Sequence, residues 1–265
     1  MTQKELKQAL AIAVKAAQAA GALMHRNWHQ TKTINAETQH DIKLELDVRC
    51  QKTIERILQK AYPTFGILGE EGDTAASSTE WRWVVDPIDG TVNFAYGIPH
   101  AAVCISLEQR RDDATFYDGC KPVVAVIFDP FAKELWTAIL GGPARLNGRI
   151  IQASQRTSLR EAIITMGFAK SLATMNQMLP AFNRLVPRVR KIRMMGSAAL
   201  ALAYVASGRF DGYLEYGLRR WDISAGALLV ECAGGSIWQK PLKQAQAFEI
   251  IASSRALQKP LSRLR

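Results

Sequence analysis

Trp81-Arg82-Trp83-Val84-Val85-Asp86-Pro87-Ile88-Asp89-Gly90-Thr91-Val92-Asn93-Phe94 is the stretch on which the reading of this chain turns. Trp81 to Val85 is mostly bulky and apolar, so it reads as a buried strand. It runs straight into Asp86-Pro87. Proline disfavours helical geometry in the residue before it, so Asp86 belongs at the extended end of that strand. Asp89 follows three residues later, after a turn. Gly90 lets backbone approach a ligand closely. Thr91 opens a short helix whose first N–H groups would suit a phosphate. Two carboxylates at such a bend can share one divalent cation or hold one each. Hard oxygen ligands suit magnesium, which binds through a few carboxylates plus substrate phosphate. Alone, however, Asp-Pro and Asp-Gly are ordinary turn dipeptides, and the turn reading outweighs the metal reading.

Two further acidic elements change that balance. Gly69-Glu70-Glu71-Gly72 ends the apolar run Phe65 to Leu68. Neighbouring side chains in extended backbone point opposite ways, so one of the two glutamates faces a site. Trp221-Asp222-Ile223-Ser224-Ala225-Gly226 puts Asp222 at an expected helix N-cap, a place that serves capping and ligation alike. Each piece by itself reads as a solvated loop or a cap. Three element ends that each present a carboxylate, two of them beside glycine, form a pattern.

Around these motifs the sequence predicts helices over 4–28 and 47–60, with strands at 101–107, 123–128 and 134–139. Asn147-Gly148 marks a hairpin. A polar stretch covers 31–40, and residues 73–80 read as a loop. Beyond a soft boundary near 150–157, strands at 162–166, 211–216, 236–239 and 248–252 alternate with helices at 171–186, 197–207, 222–232 and 256–264. The chain thus divides into halves 1–150 and 151–265, expected to pack as one functional unit.

Composition bounds the rest. The 265 residues are 48% hydrophobic and 22% charged, which suits a large globular core. No apolar run reaches the roughly 18 residues of a membrane span. The Ala-rich start is interrupted by Lys15 and Gln18, so it reads as an amphipathic helix in a cytoplasmic protein, not a leader. Cys50, Cys104, Cys120 and Cys232 are scattered and read as free thiols. The net charge of +10 permits attraction to a phosphorylated small molecule or a nucleic acid. Basic clusters at 188–193 and 255–265 lack interleaved aromatic residues, and no helix-turn-helix signal is evident. His25 and His29 do not make a zinc-protease pattern, because Arg26 follows His25.

Gly69-Glu70-Glu71, Asp86-Pro87-Ile88-Asp89-Gly90-Thr91-Val92-Asn93-Phe94 and Trp221-Asp222 through Gly234-Gly235 closely resemble the signature segments of the inositol monophosphatase family. Gly196-Ser197-Ala198-Ala199 and Gly208-Arg209-Phe210-Asp211-Gly212-Tyr213-Leu214-Glu215 match as well, in the family's order. The resemblance implies a mixed α/β fold of alternating αβαβα layers, a homodimer, two to three magnesium ions per site and lithium sensitivity. It implies one metal at Glu70, Asp86 and the Ile88 carbonyl, and a second at Asp86, Asp89 and Asp222. Gly90 and Thr91 would receive the phosphate through backbone N–H groups. Asp89, Asp222, Glu215 and the backbone of Gly196, Ser197 and Ala198 would border the substrate. Glu70 and Thr91 would orient the attacking water, with Asp47 paired to Thr91. The implied activity is hydrolysis of inositol monophosphate or a similar polyol or sugar phosphate. Fructose 1,6-bisphosphate, a nucleotide 3′-phosphate and NADP are alternative substrates. A regulatory role with the transcription machinery or RNA is an alternative of another class. Arg219-Arg220, which could bind a second phosphate, is read as surface. Departures from the family pattern lie in Asp41-Ile42-Lys43-Leu44-Glu45-Leu46-Asp47, where both aspartates remain but the small polar residues between them do not. A lysine common just before this segment has no counterpart near Ala36 or Gln39, and Val92 replaces a frequent threonine.

Overall fold

The computed structural model describes residues 1–38, 42–72, 79–111, 119–168, 172–242 and 247–265. Asp41 and most of the expected loop at 73–80 lie outside these residues. Helix α1 (Gln3–Asn27) starts at a capping box: the Thr2 hydroxyl accepts the Glu5 N–H at 3.3 Å, and the Glu5 carboxylate accepts the Thr2 N–H at 2.6 Å. The expected polar stretch instead contains a short strand, β1 (Ile34–Glu37), paired with β2 (Ile42–Leu44). All four β1 residues are exposed, so no hydrophobic alternation marked it. Helix α2 (Glu45–Ala61) follows.

A seven-stranded sheet comes next, built in chain order from β3 (Gly66–Gly69), β4 (Trp81–Asp89), β5 (Ala102–Arg110), β6 (Cys120–Asp129), β7 (Glu134–Ile139), β8 (Arg145–Leu146) and β9 (Arg149–Ile150). Helix α3 (Thr91–Ala95) is a short insertion between β4 and β5. The second sheet has five strands in the order β11-β10-β12-β14-β13. These are β10 (Ile163–Met166), β11 (Lys191–Arg193), β12 (Gly212–Arg219), β13 (Ser236–Pro241) and β14 (Ala247–Ser253). Helices α4 (Leu172–Leu185), α5 (Ala198–Ala206), α6 (Arg220–Cys232) and α7 (Arg255–Ser262) complete the chain.

Side-chain alternation assigns the layers. In β5 and β6, Val103, Ile105, Leu107, Val124 and Val126 join the core of α1 and α2. Their neighbours Ala102, Cys104, Ala125 and Ile127 face the other way, into the core of α5 and α6. That second core is closed from beyond by Tyr213, Phe248 and Ile250 of the five-stranded sheet. Leu214 and Ile251, on the opposite face of that sheet, meet Met178 and Leu185 of α4 and Leu257 and Leu261 of α7. The order is therefore helix pair, sheet, helix pair, sheet, helix pair, which is the αβαβα stack expected. The middle pair is rich in alanine (Ala198, Ala199, Ala201, Ala203, Ala206 and Ala225 are buried), so two sheets can approach it closely from both sides. At Gly226 a Cβ would lie 2.4 Å from the Leu202 side chain, so contact between α5 and α6 needs glycine there. No helix among the described residues is long and apolar enough to cross a membrane.

Candidate active site

The decisive strand runs further than expected. β4 continues through Asp86-Pro87 to Asp89, with a register irregularity against β5 between Asp86 and Asp89. Proline has no N–H to give the ladder, so pairing breaks at Pro87 and resumes at Asp89 opposite Ala102. The bulge places both aspartates beside the start of α6. A carboxylate oxygen from each of Asp86, Asp89 and Asp222 lies within 4.8 Å of the other two. Asp86 is 1% exposed and Asp89 8%. Asp222 is not the N-cap expected: Arg219 takes that place, and Asp222 sits three residues on, its Oδ2 accepting the Arg219 N–H at 2.6 Å. The helix starts two residues earlier because Arg220 is anchored in the interior.

Each carboxylate is oriented by its own neighbours. Asp89 accepts the Ser197 hydroxyl, the Ala198 N–H at 3.2 Å and the Ala199 N–H at 2.9 Å, all at the N-terminus of α5. Unpaired helix N–H groups and the helix dipole both favour a carboxylate there. The Ser197 hydroxyl also accepts the Leu200 N–H at 3.2 Å, so it caps α5 and holds Asp89 together. Asp86 Oδ1 accepts the Ile88 N–H at 3.1 Å. The Glu70 side chain hydrogen-bonds to Asp86. Burial, then the charges of Glu70, Asp89 and Asp222, push the Asp86 carboxyl well above the usual carboxylate range. The buried Tyr213 hydroxyl is also pushed up, by burial first and then by Glu215, with Asp89 and Asp222 adding to it.

Glu70 and Glu71 part as alternation requires. Glu71 pairs with Lys43 at 3.0 Å, and Glu70 turns to Asp86. Gln51 fixes this corner: its Oε1 accepts the Glu71 N–H at 2.9 Å, and its Nε2 donates to the Gly72 carbonyl at 3.0 Å. A Cβ at Gly69 would lie 2.5 Å from the Gln51 side chain, so the packing requires glycine.

Gly90 has φ +91°, and a Cβ there would sit 2.9 Å from the His100 carbonyl and 3.2 Å from that of Gly196. The Asn93 amide joins the same loops, donating to the carbonyls of His100 (2.9 Å) and Met195 (2.8 Å). Gly90 and Thr91 are thereby held beside Gly196, Ser197 and Ala198, roughly a hundred residues away in the chain. Glu215 accepts the Tyr213 hydroxyl and lies against Gly167, where a Cβ would fall 1.6 Å from its Oε2.

Two readings need correction. The Thr91 hydroxyl donates to the Ile88 carbonyl at 2.8 Å. The Asp47–Thr91 contact is not formed: Asp47 Oδ2 accepts the Leu44 N–H at 2.6 Å, and its buried Oδ1 has no hydrogen-bond partner. Burial and the nearby Glu70 and Glu71 push Asp47 up to about 8, against the lowering effect of the Leu44 bond. Arg220 is not surface. It is 4% exposed and donates through Nε to Glu108 at 2.7 Å, leaving Arg219 alone at the protein exterior.

The donor set fits a hard divalent cation. Its side-chain donors are all carboxylate oxygens, they are mostly buried, and each raises the cost of ionising Asp86. Sequence reasoning missed the roles of Gln51 and Gly167, which support the Glu70 corner and Glu215 from distant segments and carry no motif of their own; it quoted Tyr213 within a matched segment without seeing that its hydroxyl braces Glu215.

Comparison with known proteins agrees with this geometry. The chain is 40% identical over 236 residues to the Nus factor SuhB of Pseudomonas aeruginosa, covering 86% of this chain and 84% of that one. It is 38% identical over 230 residues to the inositol-1-monophosphatase of Rhizobium meliloti, covering 85% and 83%. The crystal structure of the extragenic suppressor protein suhB from Bartonella henselae superposes with a TM-score of 0.87 at 34% identity, covering 96% of both chains. The profile of the inositol monophosphatase family matches residues 5–261, which include every carboxylate of the site, and the chain belongs to that family.

Proposed function

We propose that this protein is a magnesium-dependent phosphomonoesterase that hydrolyses inositol monophosphate or a similar small polyol or sugar phosphate. The observation that carries the reading is the convergence of Asp86, Asp89 and Asp222 within 4.8 Å, with Glu70 bonded to Asp86. Glu70, Asp86 and the Ile88 carbonyl would hold one ion; Asp86, Asp89 and Asp222 would hold a second, and Glu70 would help place a third. Bound magnesium supplies Lewis acidity, easing deprotonation of water and neutralising charge on the ester oxygens. The chain supplies orientation. Glu70 accepts the proton of the attacking water, and Thr91 helps position it. Backbone at Gly90 and Thr91 receives the phosphate. Ser197 and Ala198 act through Asp89, since their donors are already turned to it. Glu215, braced by Tyr213 and Gly167, accepts hydrogen bonds from substrate hydroxyl groups.

Other features support the wider reading. The site draws Glu70, Asp86 and Asp89 from residues 1–150 and Asp222 from 151–265, so the halves act as one unit. Family membership supports a homodimer and inhibition by lithium. Four free cysteines suit the reducing cytoplasm. Burial of Arg220 removes one of the two cations that a second substrate phosphate would need, which favours monophosphates.

The test is phosphate release from inositol 1-phosphate, fructose 1,6-bisphosphate, an adenosine 3′-phosphate and NADP, with and without magnesium, for the wild type and Asp89→Asn. Magnesium-dependent turnover of inositol 1-phosphate that is lost in the variant is expected. No turnover by a folded protein that binds magnesium would replace this reading with the regulatory one.

A further inference from the structure

The net positive charge of the chain is concentrated in two stretches. Residues 156–193 and 255–265 carry 12 of the 34 basic residues and one of the 24 acidic ones. The other 216 residues carry 22 basic and 23 acidic, a balance near zero. The whole excess of +10 therefore resides in two stretches that are separate in sequence.

The second sheet brings them together. Register pairs Ile163 with Lys191, Ile164 with Gly212 and Gly212 with Ser253. The starts of β10, β11 and β12 and the end of β14 thus share one edge. Arg160 precedes β10, Arg190 and Lys191 open β11, and Arg255 follows β14, so all four stand at that edge. Arg188 arrives there just past the C-terminal end of α4. Hydrogen bonds support the meeting. Ser254 Oγ, next to Arg255, donates to the Arg156 carbonyl at 3.3 Å, and within the first stretch the Arg190 N–H donates to the Ala162 carbonyl at 2.9 Å. All five residues are exposed, and none forms an ion pair with a described residue. Glu215 lies past the opposite end of β10, so this edge faces away from the substrate pocket.

We propose that this edge binds the phosphodiester backbone of a nucleic-acid duplex. Clustered cations without counter-charges repel one another, and an anionic partner relieves that cost. Four of the five are arginines, whose planar forks bind phosphate oxygens in pairs. A single strand is disfavoured, because its readers stack bases on exposed aromatic rings. Tyr96, an exposed aromatic residue, follows α3 in the other half of the chain. A lipid surface is disfavoured because α7 turns Leu257 and Leu261 inward and keeps no apolar face to insert. Backbone contacts carry no sequence information, so the binding is sequence-independent and salt-sensitive.

The test is fluorescence anisotropy with an RNA duplex and a DNA duplex of about 20 base pairs, at about 50 and 200 mM KCl. The variants are R160E/R190E/K191E/R255E and its milder form R160Q/R190Q/K191Q/R255Q, each checked for folding by circular dichroism. Wild type is expected to bind at least one duplex, and to lose affinity roughly 10²–10³-fold across that salt range if about five phosphates are neutralised. A folded variant is expected to bind at least about tenfold more weakly, with a shallower salt slope. Equal binding by wild type and a folded variant overturns the proposal. So does an absence of duplex binding at low salt. So does tighter binding to phosphatidylserine vesicles or polyglutamate than to either duplex.

Discussion

Two buried charge clusters lie a few residues apart on the same elements and have opposite characters. In the first, Glu108 of β5 is fully buried, yet every demand of its carboxylate is met. Arg82 of β4 donates to it twice, at 2.8 and 2.6 Å, Arg220 of α6 donates at 2.7 Å, and the Ser224 hydroxyl donates at 2.6 Å. In the second, Asp86 follows Arg82 by four residues on β4, and Asp222 follows Arg220 by two on α6. There the neighbours of Asp86 are carboxylates, and they raise its proton affinity. The first cluster is internally compensated and clamps α6 to the sheet. The second is left in need of positive charge, which a metal ion held by these carboxylates could supply. The difference teaches that burial of ionised groups does not by itself mark function; the sign of the surroundings does.

That contrast can be broken in order of expected effect. Glu108→Gln leaves two arginines facing a neutral amide, and loss of a buried partner costs about 3–5 kcal/mol. Urea denaturation should show this loss, with a fall in Tm on the order of 10 °C. A stability unchanged from wild type would mean that the arginine cluster is not a clamp.

Asp86→Asn should act in reverse. It removes one of several like charges, so the metal-free protein should melt at a higher temperature than wild type. Turnover should fall by roughly 10²–10³-fold or more, the scale of losing one preorganised electrostatic group. Magnesium should raise the Tm of wild type by mass action and leave that of the variant nearly unchanged. A variant that melts lower than wild type without magnesium would show that Asp86 is already compensated.

pH sharpens the comparison. The folded chain keeps the Asp47 proton up to about pH 8, whereas an unfolded aspartate releases it near the ordinary value of 3.8. Between those limits the folded state binds more protons, so the metal-free stability falls as pH rises from about 4 to about 8. Urea midpoints measured in a chelator across this range should show the decline, and Asp47→Asn should make it shallower, the remainder coming from Asp86.

Ser197→Ala is the mildest probe. It removes a helix cap worth about 1 kcal/mol and a hydroxyl donor on Asp89. Magnesium affinity should weaken by about tenfold, the lower end for an outer hydrogen-bond partner, while the fold persists. Calorimetric titration would detect the change, and an unaltered affinity would leave Ser197 as a cap alone.

Local chemistry alone determined a good part of this protein. Strand and helix patterning, the turn at Asn147-Gly148 and the carboxylates at the ends of β3 and β4 follow from side-chain periodicity and from what Pro87 and Gly90 do to their own backbone. These effects act within a few residues, so they are legible without a fold. Tertiary structure alone decided the rest. It put Asp222 beside Asp86 across more than a hundred residues and drew Arg220 inward to Glu108. It turned the Thr91 hydroxyl to Ile88 instead of Asp47, and it gathered the basic stretches at one sheet edge. Those outcomes depend on which distant groups share a low-dielectric neighbourhood, and charge interactions gain their strength only once folding has excluded the water between them.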